Sequence, residues 1–147
     1  MKTLCIGYVW AIATIAIPLQ PYWESFNDVD YAILMAMRFT LIAILCLIFD
    51  MRDIVQDTKD QVPTLPVKYG LLPTYRIIWV MLLIYMCGMF YRWGYTPISF
   101  GMGAVCLWVI ALLHWQKQRK DDLFYLLLVD GTTVLPVFIF YTIEWIF

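Results

Sequence analysis

Asp50, Asp53 and Asp57, at the end of a long apolar run, are the residues whose type and spacing come closest to chemistry in this chain. On a helix advancing about 100° per residue, the three carboxylates fall within about 60° of one another. Like charges gathered on one face repel, and a bound cation relieves the repulsion. Mg²⁺, which takes carboxylate and phosphate oxygens, is the expected one. Arg52 points the opposite way on an ideal helix. The same spacing also suits a solvated helix end whose Asp residues are balanced by Arg52 and Lys59, and spacing alone does not separate the two readings.

The elements that must position these residues are membrane helices. Of 147 residues, 63% are hydrophobic, 18% aromatic and only 14% charged, a composition far from that of a soluble domain. The expectation is an all-α, polytopic membrane protein forming a single integral-membrane domain over residues 1–147. Five apolar runs, at about 3–19, 31–49, 75–91, 95–115 and 123–147, each lie near the roughly 20 residues a helix needs to cross hydrocarbon. The first is short, follows Lys2 and ends near Ala11, Ala13 and Ala16, so it also fits a cleaved signal peptide. Trp10 within the run and the Pro18-Leu19-Gln20-Pro21 exit favour a retained span.

Basic residues stay on the cytoplasmic side. The loop at 20–30 holds Glu24, Asp28 and Asp30 and no Lys or Arg, whereas the loop at 50–74 holds Arg52, Lys59 and Lys68, and that at 114–122 holds Lys117, Arg119 and Lys120. This places the N-terminus and the Asp cluster in the cytoplasm and the C-terminus outside, in a membrane such as the bacterial inner membrane. Tyr22, Trp23, Tyr31, Tyr91, Trp93, Tyr95, Trp115, Tyr125 and Trp145 fall near the expected boundaries, where aromatic anchors gather. Cys5, Cys46, Cys87 and Cys106 lie inside apolar runs and are expected to be free thiols. His114 has no Cys or His nearby to make a transition-metal site. A net charge of −1 and the lack of a basic patch with interleaved aromatics argue against a nucleic-acid partner.

The passage FDMRDIVQDTKDQVPTLPVKYG, residues 49–70, resembles the second aspartate-rich motif of the UbiA family of intramembrane prenyltransferases, through Asp50, Asp53, Asp57, Thr64, Leu65, Pro66 and Gly70. KTLCIGYVWAIATIAIPL near the start and DLFYLLLVDGTTVLP from Asp121 are also similar to that family, so the resemblance touches most of the chain in order. It implies that Asp50, Asp53 and Asp57 would be Mg²⁺ ligands and that Arg52, Lys59 and Lys68 are cations near an isoprenyl diphosphate, the group transferred passing to an acceptor. A positive-inside loop explains these cations equally well. Pro63 and Pro66 are expected to end the helix that carries the cluster.

Nothing in the 147 residues matches the family's first motif, N-D-x-x-D-x-x-x-D; Asn27-Asp28-Val29-Asp30 has the wrong spacing and reads as a helix N-cap. The resemblance therefore covers the last five of nine family helices, half of the bundle. Two readings follow. One is an accessory or structural subunit of a membrane complex, inactive alone; the other is half of a split, Mg²⁺-dependent prenyltransferase completed elsewhere. Both imply a further membrane chain, or lipid, covering the open half-bundle.

Two charges lie well inside apolar runs, away from either end, where they are costly and are functional candidates by default. Arg38 is about 18 Å from the cluster along a helix and is expected to make an internal contact or to snorkel. Asp130 lies about 10 Å below the end of the last run, in an Asp-Gly pair that the family also tends to show. It either lines a cavity or makes a helix contact.

Overall fold

The computed structural model describes residues 2–21, 27–116, 124–136, 138–139 and 142. Among these the chain is helical, and it divides into two compact units, Met1–Gly88 and Met89–Phe147.

The first unit is built around α3, Asp28–Arg52. Asn27 starts this helix, its side-chain oxygen accepting from the backbone N–H groups of Val29 at 2.7 Å and Asp30 at 3.1 Å, as the sequence predicts. Asp28 and Asp30 then place negative charge on the positive end of the helix dipole, and Arg52 stands at the other end. Leu41, Ile42, Ala43, Ile44, Leu45, Leu47 and Ile48 are all buried. Over this stretch the helix is buried on every side, as a central helix is, while its first turns at 28–36 are exposed or half-buried.

Against α3 packs α1, Lys2–Ala11, continued by a π-helical turn, Ile12–Ala16, and a last short turn, α2, Ile17–Leu19. Gly7 allows the close approach: a methyl group there would stand 3.2 Å from the Phe39 ring. The first expected span is thus helical, but its apolar part, Cys5–Leu19, is shorter than the three helices described below as able to cross a membrane.

α3 stops at Asp53, whose φ of −88° and ψ of 7° interrupt the helix, and α4 resumes over Ile54–Lys59. Here the structure differs from the expected helix ends. α4 ends before Pro63, through Gln61 in the left-handed region at φ 53°. Pro66 ends nothing: it sits in the first turn of α5, Leu65–Tyr69, where its missing N–H costs no hydrogen bond. Gly70, at φ 86°, then turns the chain into α6, Leu71–Trp93.

The second unit holds α7, Pro97–Trp115, whose buried residues Met102, Val105, Cys106, Val109, Leu112 and Leu113 recur at helical spacing. The chain turns into it at Gly94, φ 57°, whose carbonyl accepts from Ser99 Oγ at 2.5 Å. Beyond it come a π-helical segment, Phe124–Val129, and a 3₁₀ turn, Asp130–Thr133. Trp108 Nε1 donates to Thr132 Oγ1 at 3.0 Å, and Thr132 Oγ1 donates to the Leu128 carbonyl at 2.6 Å. A straight α-helix through Asp130 was expected from the last apolar run. Threonine hydroxyls bonding back to the main chain, with Gly131 between, compete with that helix. Part of this run, Trp145 included, lies outside the described residues, as do Lys117, Arg119, Lys120, Tyr22, Trp23 and Glu24.

α3, α6 and α7 are each long and apolar enough to cross a membrane, which is compatible with an integral membrane protein. Of the expected boundary aromatics, Tyr91, Tyr95 and Trp115 are exposed and Tyr31 and Trp93 are half-buried. Tyr125 is neither: it is fully buried in the core of the second unit.

Candidate functional site

The aspartates of the motif sit where α3, α4 and α5 pack together. Asp50, in the last turn of α3, is only 7% exposed, and its Oδ2 accepts from Thr3 Oγ1 at 2.8 Å. This bond joins the start of α1 to the end of α3. Asp53 occupies the break itself. Arg52 Nε donates to its Oδ1 at 2.6 Å and Nη2 to its Oδ2 at 3.0 Å, a two-pronged ion pair between neighbours. Asp57 is half-buried in α4, and its carbonyl accepts from Val62 N–H at 2.8 Å.

Arg52 therefore corrects the expectation that it faces away from the carboxylates. That expectation assumed one continuous helix; the interruption at Asp53 swings the adjacent carboxylate onto the guanidinium, which also lies 5.3 Å from the Phe49 ring. Lys59 is exposed at the end of α4. Lys68 is exposed as well, with Nζ 5.1 Å from the Tyr69 ring. Asp130 belongs to the second unit, where it is exposed and its carbonyl accepts from Thr133 Oγ1 at 2.7 Å.

The three carboxylates do not converge as three. Among the described residues no group of three or more His, Cys, Asp or Glu side chains is placed to hold a metal ion. Mg²⁺ demands oxygens in near-octahedral array at about 2.1 Å, and a carboxylate forked by an arginine is poorly disposed to supply one.

Two contacts draw in residues outside the motif, and one buried hydroxyl of the motif makes none among the described residues. Thr3 is the buried donor to Asp50, forty-seven residues away. Arg38 Nε donates at 2.9 Å to Thr14 Oγ1 in the π-helical turn, and that hydroxyl donates on to the Trp10 carbonyl at 2.7 Å. Thr64, 5% exposed, precedes α5 without capping it, and its hydroxyl has no hydrogen-bond partner among the described residues. A lone threonine in an apolar run is the hint that sequence offers for the first, and for the second it is joined by Arg38, a charge inside the next run.

Compared with family models, with curated proteins and with solved structures, the chain matches none.

Proposed function

We propose that this chain is a UbiA-like half-bundle acting as an accessory or structural subunit of a membrane complex, and that these residues transfer no prenyl group by themselves. One observation carries the reading: two of the motif's three carboxylates are engaged separately, Asp50 by Thr3 and Asp53 by Arg52, with no three-carboxylate group among the described residues. Each contact does a packing task. Thr3–Asp50 fastens α1 to α3, and Arg52–Asp53 neutralises charge at the interruption between α3 and α4. The subunit sits in a bacterial inner membrane with its Asp-bearing end in the cytoplasm, and another membrane chain supplies the surface that a half-bundle needs. The three candidate spans support membrane integration, and the orientation rests on the Lys and Arg residues of the loops at 50–74 and 114–122.

The test is purification from the native membrane in mild detergent, with mass spectrometry of what stays bound. The proposal expects a stable partner chain without N-D-x-x-D-x-x-x-D. Recovery of a partner bearing that motif, together with Mg²⁺-dependent retention of an isoprenyl diphosphate lost in Asp53→Ala and Asp57→Ala, would establish the split enzyme instead.

A further inference from the structure

One face of α6 combines features that a bilayer alone does not require. Leu72, Arg76, Trp79 and Leu83 fall within about 60° of each other at 100° per residue. All four are exposed, Leu72 by 73% and Trp79 by 48%. Thr74, Ile78, Leu82 and Tyr85, on the opposite face, are buried. The stripe is thus the outward face of a candidate span, and Arg76 is set within it, about 7 Å along the helix axis from Leu71. Just before the helix, Lys68 and Tyr69 are also exposed, Tyr69 by 55%. Neither Lys68 nor Arg76 has an ion pair among the described residues.

We propose that Lys68 and Arg76 bind the phosphate of an anionic glycerophospholipid in the leaflet around the start of α6. Leu72 and Trp79 lie along its acyl chains, and Tyr69 stands at the headgroup level. The charge complementarity argues for this occupant over a second protein. A cation on the apolar outward face of a span is stable where its stem lies along hydrocarbon and its head reaches phosphate. Basic side chains beside a span favour anionic over neutral lipid, and two of them make a preference of about tenfold a modest expectation. The inference rests on α6 crossing the bilayer. Failure of the chain to insert into vesicles would remove that reading, whereas an inserted chain indifferent to lipid charge removes only this one.

Native mass spectrometry of the detergent-purified chain, titrated with phosphatidylglycerol or phosphatidylcholine of identical acyl chains, is the test. The chain should retain phosphatidylglycerol about tenfold more strongly. The preference should vanish in the Lys68→Gln/Arg76→Gln double variant and survive in Lys68→Arg/Arg76→Lys. Equal retention of the two lipids, or an undiminished preference in the Gln variant, overturns the proposal. A second measurement needs no substitution: the preference of the native chain should weaken as NaCl rises from about 0.05 to 0.5 M, and a salt-independent preference overturns it equally.

Discussion

Replacing Thr3 by Val keeps the shape of the side chain and removes the hydroxyl that donates to Asp50 at 2.8 Å. Two magnitudes bracket the result. Hydrogen bonds between membrane helices average about 0.6 kcal/mol and reach about 1.7; a hydrogen bond to a charged partner is worth roughly 1.5–3 kcal/mol. Asp50 lies at the end of α3 and only 7% exposed, so little solvent is at hand to replace the lost donor. The structure therefore calls for about 1.5 kcal/mol, at the top of the first range and the bottom of the second. For a chain of this size that is a fall of about 3–6 °C in the unfolding midpoint. The assay is thermal unfolding in mild detergent followed by far-ultraviolet circular dichroism, run as a double-mutant cycle of Thr3→Val and Asp50→Leu. Because Asp50→Leu removes the acceptor, Thr3→Val should cost much less in that background, and the shortfall is the coupling. A coupling below about 0.3 kcal/mol would refute the claim that this contact fastens α1 to α3.

The other expectations are read by the same midpoint. Thr14→Val, which strips a hydrogen-bond partner from Arg38, should cost about 1 kcal/mol or more; Arg38→Met, which removes both the cation and its need for a partner, should cost less. Gly70→Ala forces a side chain into φ 86° and should cost about 1 kcal/mol, while Gln61→Gly, at φ 53°, should be neutral or stabilising. Asn27→Ala removes the acceptor for Val29 and Asp30 N–H and should cost about 1 kcal/mol. Millimolar Mg²⁺ against chelator should leave the native midpoint unchanged, since binding to the folded state alone would raise it.

What was legible in the sequence was what short-range physics decides. Asn27 followed by Asp28 and Asp30 states where α3 begins, because a cap and a first turn need only neighbours. The apolar runs of α3, α6 and α7 place each helix end to within about four residues, although α3 and α6 extend past their runs at both ends. The interruption at Asp53 was not legible, for no Gly or Pro marks it. It brings the Asp53 carboxylate onto the adjacent guanidinium, which an argument from helical periodicity cannot foresee. Nor was the π-helical turn at Ile12–Ala16, whose Thr14 hydroxyl meets Arg38 from another helix. The gathering of Asp50, Asp53 and Asp57 onto one face was a property of an ideal helix, and it lapses where the helix does.

These departures share a direction. At Asp50, Asp53 and Arg38 a costly ionisable group is met by a hydroxyl or by the opposite charge from its own unit. A metal or phosphate site inside a membrane protein works the other way, holding several charged groups of one sign short of satisfaction until the ligand arrives. Satisfying them internally lowers the energy of the empty state and so lowers the affinity for any ion that must displace Arg52 or Thr3. If Mg²⁺ were to bind here, it would first have to break the Arg52–Asp53 fork, and Arg52→Gln would then strengthen Mg²⁺ binding. The same substitution in a purely structural element leaves Asp53 a lone carboxylate at a helix interruption, weakening the fold with no gain in Mg²⁺ affinity. Isothermal titration of Mg²⁺ into the Arg52→Gln variant separates the two, and the placement of the three carboxylates argues for the second outcome.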